Sequence, residues 1–93
     1  MNVGIVNVKL RLFGINSLKE KRSITKRLMN DIKNKYNVSI VETGSRDSKH
    51  WAEIGIALVA RDKAYIERVI DSITGYIERT LGVEVEFLRK EVW

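Results

Sequence analysis

A chain of 93 residues is long enough for one domain with a single modest core, and 44% hydrophobic with 31% charged residues is the balance of a folded rather than a disordered protein. The absence of cysteine excludes disulfides, thiol nucleophiles and thiolate metal sites. Seventeen Lys and Arg against twelve Asp and Glu leave a net charge of +5, which favours RNA, DNA or an acidic protein surface as partner. The plain alternative is solubility, since small domains commonly carry a net charge of about 2–8.

The opening M-N-V-G-I-V has no basic flank and soon meets Asn7, Lys9 and Arg11, unlike a secretory leader. No apolar run approaches the roughly 18 residues of a membrane span. A cytoplasmic protein with no membrane partner is expected.

Residues 3–13 alternate, with Gly4, Val6, Val8, Leu10 and Leu12 on one face and Val3, Ile5, Asn7, Lys9, Arg11 and Phe13 on the other. That period of two predicts a strand with one face in the core. Gly14-Ile15-Asn16 turns the chain into residues 17–36, which read as one long amphipathic helix. Ser17 and Glu20 have capping-box spacing, with the Glu carboxylate reaching back to the Ser17 N–H. Leu18, Ile24, Leu28, Met29, Ile32 and Tyr36 share one face, and Lys19, Arg22, Lys26 and Lys33 form a row on its shoulder. Lys21 falls within the apolar face and is expected to snorkel to solvent. The helix should stop near Tyr36-Asn37, with Asn37 in the left-handed region.

Residues 38–43 predict a short second strand, 44–50 a polar hairpin loop, and Trp51 to Ala60 a third strand. Asp62 can cap a helix over 63–81 that Gly82 ends. Residues 83–89 predict a fourth strand, with Val83, Val85 and Phe87 facing inward. The order β-α-β-β-α-β with one-sided strands implies an antiparallel sheet with both helices on one face. Right-handed crossovers make this an α+β ferredoxin-like sandwich, one domain over 1–93 with strands 1 and 3 central.

The runs Ser17-Leu18-Lys19-Glu20-Lys21-Arg22-Ser23, Val38-Ser39-Ile40-Val41-Glu42-Thr43-Gly44 and Ala52-Glu53-Ile54-Gly55-Ile56-Ala57, with an Asp at 47, resemble the YlxP-like family. These are small bacterial proteins grouped as a domain of unknown function. The resemblance implies a ferredoxin-like fold and no established activity. The family's genes lie among those for transcription, translation and ribosome maturation, which implies a link to RNA or ribosomes. The family usually carries Gln-Asp followed by Leu-Trp in the hairpin, where this chain has Arg46-Asp47-Ser48-Lys49.

Three surfaces are candidates for function. The row Lys19, Arg22, Lys26 and Lys33 presents cations three or four apart, as a phosphate backbone would need, or it is a solvated flank that faces the acidic row Glu67, Asp71 and Glu78. The outer sheet face is the second. An antiparallel register setting Arg11 near Glu53, Phe13 near Trp51 and Ile5 near Val59, with Glu84 and Glu86 beside Arg11 and Lys9, would neutralise its cations and argues against base stacking. Gly55 and Ala57 in its middle suit close packing on a second subunit. The third is loop 44–51, where Arg46, Lys49 and His50 beside Trp51 could hold a phosphate or stack a base, or form a mobile hairpin.

Enzyme signatures are lacking. One His and no Cys make zinc improbable, there is no Walker loop or dinucleotide fingerprint, and Asp47 and His50 have no third catalytic partner nearby. The expectation is a non-enzymatic protein, without cofactor or metal, that contacts RNA or a ribonucleoprotein through Lys19, Arg22, Lys26, Lys33, Arg46 and Lys49. The alternative is a homodimer or larger homo-oligomer joined through the sheet.

Overall fold

Alternating apolar residues lay down β1 (Asn2–Arg11), β2 (Ser39–Gly44), β3 (Trp51–Ala60) and β4 (Val85–Val92), and the amphipathic stretches form α1 (Leu18–Lys35) and α2 (Lys63–Leu81). The structure, a computed structural model, describes residues 1–93. The strands form one antiparallel sheet in the order β2-β3-β1-β4, so β1 and β3 are central as predicted. Val6, Val8 and Leu10 of β1 and Ile54, Ile56 and Leu58 of β3 meet Leu28 and Ile32 of α1 and Ile66, Ile70, Ile73 and Ile77 of α2 in one buried core. The other sheet face carries no helix.

Local chemistry starts and stops the helices. Ser17 Oγ accepts from the Glu20 N–H at 3.1 Å, and the Glu20 carboxylate accepts from the Asn16 N–H, one residue before the expected Ser17 N–H. α1 does not end on a left-handed Asn37. Tyr36 is extended, and the Val38 N–H donates to the Tyr36 carbonyl at 3.0 Å, so the chain leaves through a three-residue turn. Asp62 caps α2 through the Tyr65 N–H, and Gly82 ends it in the left-handed region at φ 66°.

Two pairings differ from the expected ones. β1 and β3 meet two residues away from the predicted register, with Arg11 opposite Trp51, Lys9 opposite Glu53 and Ile5 opposite Ala57. β4 begins later than predicted and runs to Val92, with a bulge where Asn7 and Val8 face Arg89 and Phe87, leaving Leu88 unmatched. The bulge puts Lys90 and Val92 on the helix side, where Lys90 reaches Glu67 at 2.9 Å. Val83 and Val85 pack against the core as predicted. Phe87, opposite Val8 on the edge strand, does not join the core as expected: it is 44% exposed, with the Lys90 ammonium 5.6 Å from its ring centre.

Candidate nucleic-acid interface

The core-facing positions of α1 set the direction of its cations. Leu28 and Ile32 point into the sandwich, so Lys19, Arg22, Lys26 and Lys33 point away from it, and all four are exposed. No carboxylate lies within ion-pair distance of Lys19, Lys26 or Lys33; Arg22 reaches only Asp47, at 3.8 Å, and the Asp47 side chain is 98% exposed. An ion pair so open to water is worth little.

The acidic row of α2 is engaged elsewhere. Glu67 pairs with Lys90, the Glu78 carboxylate accepts from the Val85 N–H at 3.3 Å, and Asp71 holds no cation. The helices are instead joined by the Tyr76 hydroxyl donating to Asp31 at 3.1 Å and by the Lys35 ammonium 4.0 Å from the Tyr76 ring centre. The two charge rows do not meet. A cleft of about 730 Å³ between α1 and the end of α2 mixes both signs, with Lys19 and Arg27 beside Glu20 and Asp31 in its lining.

Lys21 does not snorkel; it is fully buried. Its ammonium donates to the Ser45 carbonyl at 2.6 Å and lies 3.3 Å from Glu42 Oε2, as an ion pair rather than an aligned hydrogen bond. A buried ammonium is tolerable only with such partners, and edge strand β2 brings Glu42 to the helix side to supply one. This contact ties the hairpin to α1. Ser45 there adopts φ 57°, and its hydroxyl donates to Glu53 at 2.6 Å. The Leu12 N–H also donates to the His50 carbonyl. The loop is therefore tied to α1 on one side and to the end of β1 on the other. It carries Arg46, 3.9 Å from Glu42 and largely exposed, and Lys49, which has no ion-pair partner. No hydrogen bond or ion pair joins Asp47 and His50, and no three His, Cys, Asp or Glu side chains stand together as metal ligands.

The fold thus gathers Lys19, Arg22, Arg46 and Lys49 at the end of the molecule where β1 stops and α1 begins, while Lys26 and Lys33 continue along α1. Lys19 to Lys33 spans about 21 Å at about 1.5 Å per residue. Sequence reasoning missed a further group at that end. Lys9 stands 4.7 Å from the Trp51 ring centre, and Arg11 stands 5.5 Å from Trp51 and 5.4 Å from Phe13. No ion pair engages Lys9 or Arg11, although Glu53 and Glu86 flank Lys9 in register, so the expected carboxylates stand beside these cations without pairing with them. The signal was the i, i+2 spacing of Lys9, Arg11 and Phe13 on one strand face; a register two residues out hid what they would meet.

The topology defines the class as a ferredoxin-like sandwich. A de novo designed protein with ferredoxin fold, LFR1 1, solved by solution NMR, superposes with a TM-score of 0.61 over 96% of this chain and 87% of its own, at 21% identity. The chain belongs to the family described as "Protein of unknown function (DUF503)", whose model matches residues 3–89. It is also 30% identical to the uncharacterized protein YlxP of Bacillus subtilis over 89 residues, 96% of this chain and 97% of that one. The YlxP-like resemblance is thereby established. No helix is long and apolar enough to cross a membrane.

Proposed function

We propose that this is a non-enzymatic RNA-binding protein that works in the cytoplasm and holds RNA, alone or in a ribonucleoprotein, by its phosphate backbone. The observation that carries the reading is the outward row Lys19, Arg22, Lys26 and Lys33, three of whose cations have no carboxylate partner. Cations without a carboxylate partner have no ion pair to break on binding, and each phosphate they neutralise releases counterions. Arg46 and Lys49 extend the row around the end of α1, because Lys21 holds their loop there. The test is the salt dependence of RNA affinity. Reversing Lys19, Arg22 and Lys26 to Glu together should weaken binding and flatten the log–log slope by about 2, at about 0.7 per lost single-strand contact. An unchanged affinity and slope would remove the row from the interface.

A second reading has its own observation. Val41 and Val59 are 59% and 58% exposed on the outer sheet face, beside exposed Ala57 and half-buried Val3 and Ile5. Gly55 leaves room there for Thr43, whose methyl lies 2.6 Å from where a Cβ would stand, which keeps the face flat. Such a face fits a second copy of the chain. Sedimentation should then show a concentration-dependent dimer that Ala57→Glu dissociates; a monomer at high micromolar concentration refutes the reading.

A further inference from the structure

Opposite the helices, at the end where β1 stops, rings and cations alternate: Phe13, Arg11, Trp51, Lys9. The Arg11 guanidinium lies between two rings, 5.4 Å from Phe13 and 5.5 Å from Trp51, and the Lys9 ammonium sits 4.7 Å from Trp51. These side chains line a cleft of about 710 Å³ whose other wall carries Glu84 and Glu86. Lys9 has carboxylate-bearing neighbours on both sides, Glu53 on β3 and Glu86 on β4, yet pairs with neither. Phe13 is 69% exposed, an aromatic ring left largely in water beside a cation.

We infer that this cleft is a stacking site for an unpaired nucleotide of single-stranded RNA, with Phe13 the open platform, Arg11 and Lys9 set for the phosphate, and Glu84 and Glu86 acceptors for the base. The three chemistries in the cleft are what a nucleotide needs together. A base stacks on an aromatic ring or a guanidinium plane, its N–H groups (the N3–H of uracil, the amino groups of the other bases) donate to carboxylates, and its phosphate takes cations. A phosphate alone would leave the rings unused and meet two carboxylates. An apolar peptide would desolvate Lys9, Arg11, Glu84 and Glu86 without pairing them. A duplex keeps its bases stacked inside and offers no free face. The cleft opens at the same end as Arg22, Arg46 and Lys49, so one strand could pass from the α1 row to the sheet. The inference rests on the RNA-binding reading but on different residues, so the two can fail separately.

The experiment measures anisotropy of a short labelled oligouridylate and of a labelled RNA duplex against the full chain, wild type, Phe13→Ala and Phe13→Tyr. Exposure of Phe13 means that Phe13→Ala should fold, which thermal melting checks. The expected result is a loss of roughly tenfold in single-strand affinity for Phe13→Ala, with an unchanged salt slope and an unchanged duplex affinity, and recovery in Phe13→Tyr. If Phe13→Ala binds the single strand like wild type while reversal of Lys19, Arg22 and Lys26 weakens it, the stacking site is wrong and the backbone reading stands. If the wild type binds neither RNA, both fall. Competition by uridine monophosphate settles the source: displacement only at millimolar concentration supports an RNA strand, and displacement as tight as the oligomer's own binding overturns it in favour of a free nucleotide.

Discussion

Lys19 and Lys21 lie two residues apart on one helix and meet opposite environments. Lys21 sits on the core side of α1, fully enclosed, with the Ser45 carbonyl and the Glu42 carboxylate around its ammonium. Lys19 lies on the outer row, exposed and without an ion-pair partner, as do Lys26 and Lys33. A cation that must leave water is surrounded by partners drawn from another element; a cation that stays in water is left without them. The first kind of lysine holds the fold together at the hairpin, and the second remains open to an outside anion. Residue type and helix are common to both, so position on the wheel decides the role.

The comparison can be broken most strongly from the inside. Lys21→Met should destabilise the protein by about 3 kcal/mol, because it strands the buried edge of Glu42 and the Ser45 carbonyl. Lys21→Met with Glu42→Leu should recover most of that loss in urea titrations. A single variant as stable as wild type would mean that the enclosed pair holds nothing. Next in size is the seam between β1 and α2. A Cβ at Gly4 would stand 2.5 Å from the Ile66 side chain and 3.0 Å from that of Leu58, so Gly4→Ala should cost about 1–3 kcal/mol by thermal melting. The smallest stability effect belongs to the outer row. Glu at Lys19, Arg22 or Lys26 should each change stability by no more than about 0.5 kcal/mol, because no partner is lost but the loose Asp47 contact. A large loss there would show that the row holds the fold after all.

Much of the architecture was legible, for reasons that also explain what was not. Apolar alternation located β1 and β3, and the capping residues Ser17, Asp62 and Gly82 marked helix ends. Alternation has a period of two, so a shift of two residues leaves every side chain on its own face. The faces of β1 and β3 are therefore legible in the sequence while their register is not, and Trp51 stands opposite Arg11 rather than Phe13. The bulge at Leu88 is a single unmatched residue that no periodic pattern reveals. Lys21 was visibly on the apolar face, but its partners lie on β2 and the hairpin, more than twenty residues away. The outer row was readable from the wheel; whether carboxylates met it depended on side-chain directions across two helices.

The central claim is that the outer row of α1 is an anion-binding surface and not merely part of a positive net charge. The direct test compares two charge-matched variants in a salt titration of RNA binding, one with Lys19, Arg22 and Lys26 changed to Glu and one with the exposed Arg61, Lys63 and Arg68 changed to Glu. The account predicts lost affinity and a shallower salt slope for the first and near wild-type binding for the second. Equal losses in both, or none in either, would contradict it.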